Sequence, residues 1–223
     1  MNTIDAAKPE DYLQIDIVSD VVCPWCVIGF KQLEQAIHQT GTPATVKWHP
    51  FELNPNMAED GENLRDHIHR KYGLDEAASA QTRERLTALG LELGFAFNYS
   101  DDMRMVNTFR AHQLLHWAGP YGKEHPLKMA LFEAYFIRHE DLNDLTVLGE
   151  IAQGVGLNPA EAQDVLSDGR FAQTVRQEEK FFTDQGIQGV PAVIFDRRHL
   201  VSGAQGVDAY VSILRQLNGH FST

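Results

Sequence analysis

A short strand that runs directly into a helix, with both cysteines of the chain at the junction, constrains the fold more than any other feature. Residues 12–18 are rich in β-branched side chains and predict a strand. Cys23 and Cys26 follow it, and apolar residues recur at helical spacing through residues 30–37. The chain therefore opens with a strand–helix unit whose helix begins at a CxxC pair.

The rest of the chain predicts a second strand, a long helical block and a closing α/β unit. Residues 44–53 alternate in polarity as a strand does, and Gly and Pro divide residues 55–173 into about six helical segments. A further helix, two short strands and a last helix complete the chain. We predict an α/β fold in which residues 1–54 and 174–223 form one domain and residues 55–173 form an inserted helical domain.

The acidic composition argues against two classes of partner. The formal net charge is -12 over 223 residues, whereas nucleic-acid binding normally leaves a basic footprint. No apolar run approaches the ~20 residues that cross a bilayer, and the polar N-terminus has no signal-peptide pattern. We expect a cytoplasmic protein with no nucleic-acid or membrane partner, either a monomer or a homodimer.

The position of the cysteine pair favours redox chemistry. The first turn of a helix has unpaired backbone N–H groups and the positive end of the helix dipole, which together lower the pKa of a thiol placed there. We expect Cys23, at the helix tip, to be a solvent-facing nucleophile with a lowered pKa. Cys26, one turn further on, is expected to be the buried resolving thiol. Pro24 fits the first helical turn, where a missing N–H has no cost.

Three other uses of two cysteines fit less well. A structural zinc site usually needs four ligands, and the chain has no second cysteine pair. His112 and His116 share a helix face, but HQLLH lacks the glutamate of the zinc-protease motif, so no metal is expected. A disulfide across so short a loop would restrict the unfolded chain little, and a reducing cytoplasm disfavours it. Two ordinary buried cysteines would not favour a helix tip that begins with proline.

Several residues around the pair have a functional and a structural interpretation. Val190 and Pro191 precede a strand, and a cis bond between them would leave the backbone before it exposed to an extended substrate. Trp25 either shapes the substrate surface or packs over the helix tip. Asp20 is expected to cap the turn before the helix, with a proton relay as the alternative. Residues 176–180, RQEEK, are expected to form a solvated helix face.

Six segments, spread over nearly the whole chain, carry a family resemblance: SDVVCPWCVIG, PFELNP, NTFRAHQLLHWA, LFEAYF, GVPAVIF and SGAQ. They resemble the DsbA-like branch of the thioredoxin superfamily and, within it, the FrnE-type proteins most closely. The resemblance implies a thioredoxin fold with an inserted all-helical domain, and thiol–disulfide oxidoreductase activity in which Cys23 attacks and Cys26 resolves. It also implies that Pro191 is cis and that Val190 faces the active site. No basic residue is visible beside Cys23, so the helix N-terminus would supply most of the thiolate stabilisation.

The resemblance also suggests substrates and an alternative function. The substrate would be a disulfide-bearing protein or a small thiol, with no tightly bound cofactor and with glutathione as a candidate redox partner. Candidate substrate contacts are Pro24, Trp25, Val190, Pro191, Asn107 and His112, although helix packing explains the last two equally well.

The 2-hydroxychromene-2-carboxylate isomerases and kappa-class glutathione transferases share the insertion and the NT…AH and GVP elements, but place a serine near the first cysteine position. A glutathione-dependent isomerase or transferase is therefore the alternative. A non-enzymatic, chaperone-like module is a third hypothesis.

Overall fold

A four-stranded sheet and nine helices make up the part of the chain that the computed structural model describes, residues 12–221, with side chains described as far as residue 217. In chain order the elements are β1 (Leu13–Ser19), α1 (Pro24–Thr40), β2 (Ala44–Pro50), β3 (Glu62–Asn63), α2 (Leu64–Tyr72), α3 (Glu76–Glu92), β4 (Arg104–Met105), α4 (Phe109–Ala118), a 3₁₀ turn (Gly119–Tyr121), α5 (Glu124–Phe136), α6 (Leu145–Gly154), α7 (Pro159–Ser167), α8 (Ala172–Asp184), β5 (Ala192–Phe195), β6 (His199–Ser202) and α9 (Val207–Phe221).

The central sheet has the strand order β2-β1-β5-β6. β1 pairs in parallel with β2 and antiparallel with β5, and β5 pairs antiparallel with β6. β1 lies between two neighbours and is buried at six of its seven positions, as expected of a central strand. α1 and α9 pack against each other. The predicted α/β architecture is thus confirmed, with each strand and helix of the sheet unit where the sequence placed it.

Helices dominate the segment between β2 and β5, as predicted. The six helical segments predicted in residues 55–173 correspond to α2 to α7. One detail differs from an all-helical insertion, because β3 pairs antiparallel with β4 through Glu62 opposite Met105 and Asn63 opposite Arg104. Strands of two residues are too short to show an alternating pattern. Leu33 of α1 and Leu131 of α5 belong to one buried cluster, so the insertion shares its core with the sheet unit.

The loop before β5 is held against α1 by a glycine. The Val190-Pro191 bond is cis, as the resemblance implied. A Cβ at Gly29 of α1 would lie 2.9 Å from Pro191 Cγ, so only a residue without a side chain allows the loop to approach this closely. This contact brings Val190 next to the start of α1. Among the described helices, none is both long enough and apolar enough to cross a membrane.

Candidate active site

The two thiols lie at the N-terminus of α1, where the strand–helix junction predicted them. Cys23 is the N-cap, with extended backbone angles, and the Cys26 N–H donates to the Cys23 carbonyl at 3.0 Å. Both side chains are free thiols and are buried, 3% and 1% exposed respectively. The Cys23 thiol donates to the carbonyl oxygen of Val190 at 3.7 Å. The fold therefore joins the CxxC pair to the cis-proline loop, 167 residues away in the sequence.

Cys23 borders a cavity of about 320 Å³ between the start of α1 and the inserted helices. Its lining is mostly apolar and comes from α2, α3, α5 and the loops beside them; it includes Leu64, Ile68, Leu86, Tyr99, Met105 and Phe136. Cys26 is not part of this lining. The expectation of a solvent-facing Cys23 is therefore wrong: the inserted helices cover the helix tip, and the sulfur borders a cavity between them and α1.

The candidate substrate contacts fall into two groups. Pro24, Trp25 and Val190 line the cavity, while Pro191 lies behind Val190 against Gly29.

Asn107 and His112 do not line the cavity. The Asn107 side chain bonds the Met57 carbonyl and the Phe109 N–H, both at 2.9 Å, so it holds loops together. His112 is 2% exposed and is packed inside the protein.

A buried lysine stands near the dithiol, which the sequence reasoning did not anticipate. Lys128 of α5 is 1% exposed, and its Nζ donates to the Ser19 carbonyl at 3.5 Å and lies 5.2 and 5.0 Å from the ring centres of Trp48 and Phe132. Burial lowers the pKa of Lys128 to about 8, against the opposing charges of Cys26 and other nearby groups. Lys128 lies three and four residues before the buried Leu131 and Phe132, and this helical spacing could have indicated that the lysine is buried as well.

Asp20 does not cap the turn before α1, contrary to expectation. Its Oδ2 accepts the Leu53 N–H at 2.7 Å, and its Oδ1 lies 3.4 Å from His112 Nε2, with both side chains fully buried. The Cys23 N–H bonds the Asp20 backbone carbonyl instead, at 3.3 Å. Burial by itself raises the pKa of Asp20, but the bond and charge of His112 and the Leu53 N–H bring it below the usual value. A buried carboxylate–imidazole pair thus lies directly before the motif.

Burial and the interaction between the two thiols shift their pKa values in opposite directions. The pKa of Cys23 is raised well above its usual value, first by its hydrogen bond with Cys26 and then by burial. Burial also raises the pKa of Cys26, but the neighbouring Cys23 and Ser19 side chains and the charge of Lys128 outweigh it and leave that pKa lowered. The first negative charge on the pair therefore rests on Cys26, and the prediction of a lowered pKa at Cys23 is wrong.

A second buried polar group fixes α8 to the sheet. His49 of β2 has Nε2 2.8 Å from Asp16 Oδ1 and Nδ1 2.6 Å from Glu178 Oε1. Burial would lower the pKa of His49, but the two carboxylates raise it; the pKa of Glu178 falls to about 2 because bonds from His116 and His49 outweigh its burial. The expectation that residues 176–180 form only a solvated face is thus wrong at Glu178. Within the described residues, no group of three or more His, Cys, Asp or Glu side chains could hold a metal ion.

An α/β sheet unit with a CxxC pair at the first helix and a cis-proline loop against it defines a thioredoxin-type dithiol protein. A family model described as a DSBA-like thioredoxin domain matches residues 14–215, and the chain belongs to this family. The thioredoxin fold with a helical insertion is therefore confirmed.

Three individual proteins illustrate what the chain is similar to. A probable DsbA oxidoreductase from Streptomyces coelicolor is 32% identical, with a TM-score of 0.84 over 93% of this chain and 91% of that chain. The uncharacterized protein YwbO of Bacillus subtilis (strain 168) is 26% identical over 89% of this chain and 94% of its own length. A 2-hydroxychromene-2-carboxylate isomerase shares the fold at 12% identity, with a TM-score of 0.73 over 94% of this chain and 98% of that chain.

Proposed function

We propose that this protein is a thiol–disulfide oxidoreductase of FrnE type, in which Cys23 attacks the substrate and Cys26 resolves the mixed disulfide. One observation carries the assignment of roles: Cys23 borders the cavity and Cys26 does not. A substrate sulfur in the cavity can therefore reach Cys23 first. The Val190 carbonyl beside the Cys23 sulfur supports the same assignment, because it presents backbone to an extended substrate.

The first half of the reaction starts from an anion on Cys26. The Cys23 thiol lies beside Cys26, so transfer of its proton to the Cys26 anion produces the Cys23 thiolate. This thiolate attacks one substrate sulfur, the substrate S–S bond breaks, and one substrate thiolate leaves as the Cys23 mixed disulfide forms.

The second half needs Cys26 as an anion again. Lys128, whose pKa is lowered to about 8, can give its proton to the departing substrate thiolate and, as the neutral amine, then accept the proton of Cys26. The Cys26 thiolate then attacks the Cys23 sulfur, which forms the Cys23–Cys26 disulfide and releases the second substrate thiol. Counted from the fully protonated dithiol, the pair has lost two electrons and two protons, one of these protons on the initial ionisation of Cys26, and the substrate disulfide has gained the two electrons.

Reduction of a disulfide substrate by the pre-reduced protein tests the proposal. Wild type should react, Cys23→Ser should not, and Cys26→Ala should stop at a covalent adduct on Cys23 that mass spectrometry detects. If the wild type fails with every disulfide and every reductant, or if Cys26→Ser rather than Cys23→Ser abolishes adduct formation, the proposed roles are wrong.

A glutathione-dependent isomerase or transferase is the second candidate. The enclosed cavity beside Cys23 favours it, and so does the fold shared with the 2-hydroxychromene-2-carboxylate isomerase. This function would need only the cavity and one thiol, so glutathione binding and turnover should survive Cys26→Ala. The absence of glutathione binding by calorimetry would exclude it.

A further inference from the structure

We propose that the substrate is a low-molecular-weight disulfide with an apolar, aromatic-sized body and a carboxylate group, and not a disulfide of a folded protein. This inference rests on the proposed function and specifies its substrate. Three features of the cavity carry it: the enclosure of Cys23, the apolar walls, and an arginine without an acidic partner.

Enclosure limits the size of the substrate. Cys23 is 3% exposed and borders a cavity of about 320 Å³, near the lower end of the range for small-molecule sites. Tyr72 lines the same cavity and is 51% exposed, which places it at the mouth. A disulfide on a folded protein would have to bring its own backbone through this mouth to reach the sulfur.

The apolar walls of the cavity favour a substrate with an apolar body. Side chains of Leu64, Ile68, Leu86 and Phe136 face the space beside Cys23 and offer no hydrogen bonds. A ring or an aliphatic chain that buries its surface here is stabilised by the hydrophobic effect. A hydrophilic peptide such as glutathione would lose water from several polar groups, and most of the lining offers them no hydrogen-bond partner.

Arg83, at one end of the cavity, favours a substrate with an anionic group. Arg83 of α3 lines the space, its Nη1 donates to Ser79 Oγ at 2.9 Å, and it forms no ion pair with an acid of the described residues. By contrast Arg65, in the same lining, is paired with Asp101.

Tyr99 adds a second polar group to this end. Its buried hydroxyl lines the cavity and has no hydrogen-bond partner in the part of the chain that the structure describes. A planar carboxylate would fit the fork of the Arg83 guanidinium and provide an acceptor beside Tyr99. The chain has a net charge of -12, so acidic residues outnumber basic ones, yet this arginine in the cavity lining has no acidic partner among the described residues.

Two aromatic disulfides, one anionic and one neutral, provide the test. 5,5′-Dithiobis(2-nitrobenzoate) has a carboxylate on each ring, whereas 4,4′-dithiodipyridine is neutral at pH 7.5. Single-turnover reduction by the pre-reduced protein is followed by the absorbance of the released thiol, two per protein. Arg83→Gln should slow the dicarboxylate at least tenfold and leave the neutral disulfide within twofold. Arg170→Gln, which removes one charge at a surface pair with Asp168, is the matched control and should change neither rate.

Each result supports or overturns the inference. Equal slowing of both disulfides by Arg83→Gln would show that Arg83 acts on the thiols and not on a carboxylate, and would overturn it. Ile68→Trp, which fills the cavity, should slow both probes, and unchanged rates would overturn access through the cavity. If insulin is reduced as fast as the dicarboxylate, the substrate class is wrong while the oxidoreductase function stands. If no disulfide reacts, the proposed function itself fails.

Discussion

Replacing Lys128 with methionine should stabilise the fold at neutral pH. The folded protein lowers the pKa of this lysine from 10.5 to about 8, so the folded state holds the lysine proton less tightly than the unfolded chain does. At 1.36 kcal/mol per pKa unit, the charged lysine costs the folded state about 3 kcal/mol at any pH well below 8. That cost diminishes as the pH rises from 8 to 10.5 and is absent above it. Methionine preserves the packing against Trp48 and Phe132 without a charge.

Urea unfolding of the reduced protein at pH 7 and pH 9.5 measures this effect. The Lys128→Met variant should exceed wild type by about 3 kcal/mol at pH 7, with a much smaller difference at pH 9.5. Lys180→Met is the control, because Lys180 is an exposed residue of α8 paired with Asp184 and should change stability little. A loss of stability in Lys128→Met at pH 7 would show that attraction to Asp20 outweighs burial, and would refute the reasoning.

The same variant should weaken the redox site. Lys128 lowers the pKa of Cys26, so its removal should move the rise of thiolate absorbance to higher pH. Because a stabilised thiolate favours the reduced pair, the variant should also have a lower, more reducing potential. A thiolate titration that coincides with wild type would exclude Lys128 as the group that supports Cys26.

The remaining predictions concern the contacts that fix the site. His49→Gln should cost about 3 kcal/mol at pH 6, where the raised pKa of His49 keeps it charged between its carboxylates. This contribution is complete below pH 6.5 and is lost as the pH rises through the pKa of His49 in the folded protein. The stability that the variant lacks relative to wild type in urea unfolding should therefore be smaller at pH 9. A stability difference that does not change with pH would contradict this prediction. Gly29→Ala should cost about 1–3 kcal/mol and slow disulfide reduction, since its Cβ meets Pro191. Gly154→Ala, with no atom within 4 Å, is its control, and equal effects in thermal unfolding and rate would dismiss the steric argument.

Local patterns were enough to predict the elements and the position of the thiols. The β-branched run before Ser19 produces a buried strand, and Pro24 begins a helix because its geometry suits the first turn. These predictions succeed because the causes lie within a few residues of their effects. The cis Val190-Pro191 bond, by contrast, was implied by the family resemblance and not by a local pattern.

Local sequence patterns could not predict which residues surround the two thiols. Lys128 reaches the Ser19 carbonyl across 109 residues, and Asp20 accepts the Leu53 N–H and lies 3.4 Å from His112, where a cap of the turn before α1 was expected. No local pattern specifies how the inserted helices dock on the sheet unit. The wrong assignments of exposure and pKa at Cys23 follow from that one missing fact, since a bare helix tip would expose the thiol and a covered tip buries it.

The insertion therefore does more than cover the site. α5 brings the cation that favours an anion on Cys26, and α3 brings Arg83 to the cavity that Cys23 borders. Reactivity of the resolving thiol and choice of substrate would then be set by residues outside the CxxC motif, on two different inserted helices. Changes at Lys128 should alter the thiol titration for every substrate, whereas changes at Arg83 should alter only the rates of anionic ones. We expect the two effects to be independent, because Lys128 and Arg83 lie at separate positions on different helices. In the double variant, each rate change should therefore equal the product of the changes in the two single variants.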